Sequence, residues 1–169
     1  CMWASTAAWG QTAAPRVALG ERLSSPIDLN GNLEDHAWQR IPAQSDFQQF
    51  SPAPGGRPSQ RTEVRFGYDD NALYIGARMW DTAPDSILHQ LSERDRTDNT
   101  DEFGIWFSPF NDGLNAVRFR TTPDGIQIDE QISPNGEDSS WDAVWDVVCS
   151  IDSAGWVAEF RIPWMAFRF

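Results

Sequence analysis

Apolar and polar residues alternate with period two through much of this chain. In residues 62–68, Val64, Phe66 and Tyr68 share one face, and Leu73, Ile75, Ala77 and Met79 line the next run. Residues 102–108 set Phe103, Ile105 and Phe107 on one side, with Glu102, Gly104 and Trp106 on the other. Residues 116–122, 126–132 and 144–151 read as further strands, and residues 156–162 place Trp156, Ala158, Phe160 and Ile162 together. Successive side chains of a strand point to opposite faces, so each run predicts a half-buried β-strand. The punctuation agrees: Asp69-Asp70-Asn71, Asn111-Asp112-Gly113, Pro123-Asp124-Gly125 and residues 152–155 are turn sequences.

The regions between are less regular. Residues 11–26 are small, polar and proline-interrupted, which predicts an extended linker. Residues 27–29 read as a short strand stopped by Asn30-Gly31, and residues 33–40 as one or two helical turns with Trp38 tucked inward. Phe47 and Phe50 punctuate a loop that turns Pro- and Gly-rich over residues 51–58 and belongs on the surface. Pro84 opens a turn before a short helix at residues 86–91, and residues 133–140 form a polar loop. Short strands joined by tight turns predict an all-β, antiparallel β-sandwich of two packed sheets over residues 27–169. No repeat of about 20–50 residues is visible, which disfavours propellers and solenoids. Residues 161–169 stop without turn or tail, so the sandwich is expected to be truncated at its C-terminus.

A length of 169 residues is enough for one domain with a real core. The net charge of -12 argues against nucleic acid, whose binding needs clustered cations. All 13 cations are arginine, read here as genomic bias. Nine tryptophans fit a β-rich core or stacking platforms. Cys1 and Cys149 form no disulfide framework; Cys149 falls in a strand and is expected to be a buried free thiol. Residues 1–10 are small, apolar and uncharged, like the tail of a secretory signal peptide, with Ala8-x-Gly10 as a cleavage site and Gln11 as the mature start. A remnant unrelated to export, and a lipoprotein Cys1, are the alternatives. No apolar stretch reaches the roughly 20 residues of a spanning helix.

Residues 94–107 combine a polar loop with a core strand. They hold Asp95, Asp98, Asp101 and Glu102, beside Arg94 and Arg96. Calcium takes six to eight oxygen ligands from such loops, which makes Asp69, Asp95, Asp98 and Asp101 its candidate ligands, with solvated turn acids as the alternative. Sugar recognition needs an aromatic face for the C–H side of the ring and planar polar groups for the hydroxyls. Trp80 and Trp106 occupy polar strand positions and offer platforms; Trp141 is a third candidate, though with Trp145 it also reads as strand-end packing. Arg118 and Arg120 share a strand face from which they could reach hydroxyls or pair with acids. Enzyme signatures are missing: there is no G-x-S-x-G, P-loop, G-x-G-x-x-G or H-E-x-x-H, and His36 and His89 have no companion at ligand spacing.

Several of these runs carry a family likeness. Ile27-Asp28-Leu29-Asn30-Gly31-Asn32-Leu33-Glu34-Asp35-His36-Ala37-Trp38 resembles the opening of family 9 carbohydrate-binding modules, and Tyr68-Asp69-Asp70-Asn71-Ala72-Leu73-Tyr74-Ile75-Gly76, followed by Asp81, resembles their second signature. Ser140-Trp141-Asp142-x-x-Trp145, Gly155-Trp156-x-x-Glu159-x-x-Ile162-Pro163 and Phe167-Arg168-Phe169 are similar to the module-like domain at the N-terminus of exported outer-membrane β-barrel proteins. The resemblance implies a β-sandwich exposed to the periplasm or associated with the outer membrane, followed by a C-terminal barrel. It also implies a polysaccharide or oligosaccharide ligand, calcium as a structural ion, and further strands after Phe169. Sugar-binding members carry Trp-Glu-x-Asp-x-Val-Glu where this chain reads Asp98-Asn99-Thr100-Asp101-Glu102-Phe103-Gly104. Asp101 is kept, the stacking Trp is replaced by Asp98, the later Glu by Gly104, and Arg120 matches a sugar-contacting Arg. The expected function is a non-catalytic carbohydrate-binding-like module. One alternative is a haem-binding electron-transfer sandwich, whose axial ligands would come from Met79 or Met165 with His36 or His89. The other is a structural docking domain of the barrel.

Overall fold

The computed structural model describes residues 17–96 and 99–167. The alternating runs pair as their turns dictate. β2 (Thr62–Tyr68) folds back on β3 (Ala72–Trp80), with Phe66 opposite Ile75 and Val64 opposite Ala77. Asp69 closes that turn, its Oδ1 accepting the backbone N–H groups of Asn71 (2.7 Å) and Ala72 (2.8 Å). β9 (Gly155–Pro163) lies antiparallel on the other side of β3, and β8 (Asp146–Asp152) forms the edge beyond it. A two-residue β1 (Glu21–Arg22) joins the opposite edge in parallel with β2, so one pair departs from the antiparallel rule. The second sheet runs in simple order: β4 (Phe103–Phe107), β5 (Ala116–Thr121), β6 (Gln127–Ser133) and β7 (Gly136–Asp138). The architecture is the expected all-β sandwich, of five and four strands.

The apolar faces close on each other. Val64, Ile75, Ala77, Val117, Phe119, Ala158, Phe160 and Ile162 form the centre of the core. Trp145 lies flat on Phe160, centroids 5.5 Å apart at 4°, and meets Phe119 edge-on at 5.3 Å. Offset and edge-on aromatic contacts of this kind add about 0.5–1.5 kcal/mol beyond the area they bury. A second, smaller core covers the outer face of the five-stranded sheet, where Ile27, Leu33, Trp38 and Ile41 sit on Ala72, Tyr74 and Val157.

Four local expectations change. Residues 27–29 form no strand, because the N–H groups just after them bond to a carboxylate, Glu159, instead of a neighbouring strand. The helix at 33–40 is a single turn, α1 (His36–Gln39), which still buries Trp38 completely. The short helix expected at 86–91 is a 3-10 turn at Pro84–Ser86; beyond it Leu88 bonds to Asp101 instead of continuing a helix. Within the polar loop at 133–140, β7 pairs with β6, a strand with no alternation to betray it because all three of its residues face water.

Candidate functional site

The outer face of the four-stranded sheet gathers the strongest set of sequence candidates. Trp106 lies opposite Arg118 in the β4–β5 register, and Gly104 opposite Arg120. The Trp106 side chain is 55% exposed, the Arg118 guanidinium carbon lying 5.4 Å from the ring centre. Gly104 decides the local packing: a Cβ there would stand 2.8 Å from Arg120 Cγ and 3.4 Å from the Trp106 ring. The missing side chain is therefore the space into which Arg120 and Trp106 settle.

Both arginines are held by acids: Glu102 of the 94–107 stretch, and Glu130 and Glu137, which carried no signal in the sequence. Arg120 Nη1 donates to Glu102 Oε2 at 2.6 Å, and its Nη2 lies 3.3 Å from Glu130 Oε2. Arg118 donates from Nε to the same Glu130 and from Nη2 to Glu137 Oε2 at 2.9 Å. Two guanidinium groups thus meet three carboxylates around one exposed indole. Guanidinium groups pinned by carboxylates keep one geometry, and the remaining donors and acceptors can meet hydroxyl groups without first being ordered.

Trp80 and Trp141 do not join this set. Trp80 ends β3 on the outer face of the other sheet, 37% exposed, with the Arg78 guanidinium 4.6 Å from its ring centre. There it borders a cleft of about 460 Å³, together with Glu63, Arg65, Arg78, Gln39 and Asp152. Arg78 donates two parallel bonds of 2.7 Å to Asp152, and this pairing holds the Asp152 carboxyl below its ordinary value. Trp141 packs inward on Phe119, centroids 6.0 Å apart.

The described acids of the calcium expectation, Asp69, Asp95 and Asp101, each serve a separate set of local bonds. Asp69 is occupied by the turn it closes and by the Tyr74 hydroxyl at 3.2 Å. Desolvation pushes its carboxyl up, but these donors outweigh it and leave it below the usual carboxylate value. Asp95 (φ 61°) receives the Asp129 N–H at 3.4 Å and lies 3.6 Å from Arg94 Nε. Asp101 staples its loop, donating its N–H to the Leu88 carbonyl at 2.7 Å and accepting the Leu88 N–H at 3.2 Å. Asp98 lies outside the described residues. Among the described residues, no three His, Cys, Asp or Glu side chains come together as a donor set for a metal.

The organiser of the 94–107 loop is not one of its acids but Arg94, which stands beside them in the sequence. Arg94 donates to Gln127 Oε1 at 2.6 Å, the buried Asp129 Oδ1 at 2.5 Å and the Ala143 carbonyl at 3.0 Å, and pairs with Asp142 at 2.7 Å. Desolvation raises the Asp129 carboxyl, although Ala143 N–H, Trp145 and Arg94 oppose the rise. Of the haem candidates, Met79 packs against the inner core, whereas Met165 is 69% exposed. His36 lies on α1, which covers the outer face of that sheet, and His89 pairs with Asp124 at 3.2 Å.

No family model matches this chain, and no curated protein matches it. Solved structures do. A carbohydrate binding module family 9 from Caldicellulosiruptor kristjanssonii in complex with cellotriose matches over 87% of this chain and 67% of its own, at 16% identity and a TM-score of 0.60. A family 9 module from the same organism in complex with glucose matches over 87% of this chain and 69% of its own, at 15% identity and a TM-score of 0.57. The fold of this protein is that of the family 9 carbohydrate binding modules.

Proposed function

We propose that this protein is a non-catalytic carbohydrate-binding module whose ligand lies on the outer face of the four-stranded sheet. The observation that carries the reading is the exposed Trp106 indole beside Arg118 and Arg120, both locked by Glu102, Glu130 and Glu137. An indole face takes the C–H side of a pyranose, and the fixed charged groups take its hydroxyls. In this account Trp106 supplies the stacking surface that Asp98 does not, and Gly104 clears the space it needs. The fold neighbours, solved with cellotriose and glucose, make β-linked gluco-oligosaccharides the first ligands to try. The outer-membrane context, with export and an attached C-terminal barrel, is part of the same proposal and is supported by the likeness of the runs around Trp141, Trp156 and Phe167. Isothermal titration against cello-oligosaccharides and a wider glycan panel tests the reading. Saturable heat with at least one saccharide is the expected result, and no heat with any of them would refute it.

A further inference from the structure

An uncovered edge strand offers a row of unpaired N–H and C=O groups to any other strand. Among the described residues the two sheets end in β1, β8, β4 and β7. Three of these edges are blunted. β1 is two residues long, both charged and exposed. β7 has three exposed residues, Gly136, Glu137 and Asp138. β8 begins and ends in the acids Asp146 and Asp152, and Gly31 lies against it, its carbonyl accepting the Ser150 hydroxyl at 2.6 Å. Short length, charge and cover are devices that keep edges from pairing. β4 has none of these beyond its modest length. Phe103-Gly104-Ile105-Trp106-Phe107 carries no charge and no proline, and it pairs with β5 without a bulge.

The inner positions of β4 show the same opening. On β5, Val117 and Phe119 are completely buried. One strand over, Phe103, Ile105 and Phe107 pack against the same core but are only partly buried. Among the described residues the backbone of 103–107 bonds to β5 alone, and the nearest cover is Leu88, which meets Asp101, two residues before the strand. The core therefore runs up to a strand whose outer edge is open.

We propose that β4 is an interaction surface whose partner is β4 of a second copy of this chain, antiparallel and two-fold about Ile105. The strand's own sequence selects a copy of itself. In this register Phe103 faces the partner's Phe107, Ile105 faces the partner's Ile105, and Gly104 faces the partner's Trp106. The apolar inner row of one copy continues into that of the other. On the outer face the bulkiest residue meets the one position without a side chain, the aromatic-on-glycine pairing that pins strand register. Glu102 falls opposite the partner's Ser108 and Asp101 opposite the partner's Pro109, so no like charges stand directly across the seam. The two four-stranded sheets become one continuous sheet with Trp106 still on its outer face, and the seam forms whether or not that face binds a saccharide. The net charge of -12 on each copy opposes association, but exposed charges are screened beyond about 8 Å at physiological ionic strength. The shared edge is short, which places the association in the micromolar range.

Sedimentation equilibrium of the unsubstituted chain in about 0.15 M salt, over a range of concentrations, is the first test. The mass should rise from that of one chain to twice that value; the mass of one chain at every concentration up to the solubility limit would overturn the proposal. A second test fixes the register. Directly opposed residues of antiparallel strands have Cα atoms about 4.5–5.5 Å apart, within disulfide reach. Ile105→Cys should therefore form a covalent dimer under mild oxidation, above the background set by Cys1 and Cys149 of the parent chain. Ser108→Cys should stay at that background, because the two-fold sets the two copies of that residue roughly 20 Å apart. The mass measurement uses the unsubstituted protein, so it stands even if Ile105→Cys unfolds. Equal cross-linking by the two variants, or none by a folded Ile105→Cys protein, would each overturn the proposal.

Discussion

The Trp38 indole N–H donates to Glu159 Oε1 at 2.6 Å, joining two sequence runs 121 residues apart. The other carboxylate oxygen of Glu159 takes the consecutive backbone N–H groups of Asn30 (2.7 Å), Gly31 (2.5 Å) and Asn32 (3.2 Å). A fully buried acid thus acts as the end-piece of the segment that covers the five-stranded sheet. It also sets one wall of the Arg65 cleft, which Gly31, Asn32 and Leu33 line.

Removing that acid leaves four donors without their acceptor, those of Gly31 and Trp38 buried and those of Asn30 and Asn32 part-buried. Glu159→Ala is expected to lower stability by about 3–5 kcal/mol, the cost of breaking a buried charged network by deleting one partner. Urea unfolding should show a lower midpoint with an unchanged slope. A loss below about 1 kcal/mol would mean that the Asn30–Asn32 backbone finds other acceptors.

Gly104→Ala tests whether the space above β4 belongs to the site. The added Cβ meets the flexible stem of Arg120 at 2.8 Å, so the change in stability should stay near 1 kcal/mol. Saccharide binding should fall more than stability does, because Arg120 and Trp106 are both displaced. Calorimetry paired with a thermal melt separates the two effects.

The Asp152 carboxyl gives a signed pH dependence. Hydrogen bonding to Arg78 is the largest cause of its depression, so its folded value lies below the ordinary 3.8. The stability it contributes is present above about pH 4 and is lost as pH falls through its depressed value. Half-exposed pairs are screened, so the contribution is small. Asp152→Asn should therefore flatten the acid limb of the stability curve slightly and leave the neutral range parallel to the parent protein.

Burial pushes the Cys149 thiol up to about 11, against a weak bond to the Thr121 hydroxyl at 3.6 Å. Thiolate is the reactive species, so the folded protein should resist thiol reagents near pH 8 and react fully once denatured. Rapid labelling of the native protein would contradict its placement in β8.

The fold was legible where one face is buried and the other is wet. The alternation of Leu73, Ile75, Ala77 and Met79 and of Trp156, Ala158, Phe160 and Ile162 reports that condition directly, and these strands pair in register. β7 escaped because both its faces meet solvent. Glu159 escaped for a different reason: alternation puts it on the polar side of β9, and only the covering segment over residues 27–41 buries it. Trp80 and Trp106 look equivalent as polar-face tryptophans, yet they end on opposite outer faces, because sheet membership is a tertiary fact that alternation does not encode.

The central claim is that Trp106 is the stacking surface of a saccharide site, and one comparison tests it most directly. A neutral cello-oligosaccharide bound by the parent protein is titrated calorimetrically into Trp106→Ala and Trp80→Ala. Trp106 is exposed, so its replacement should leave the fold intact. The account expects Trp106→Ala to weaken binding by at least about tenfold, as loss of a central aromatic anchor does, with Trp80→Ala unchanged. Unaltered affinity in Trp106→Ala would contradict it.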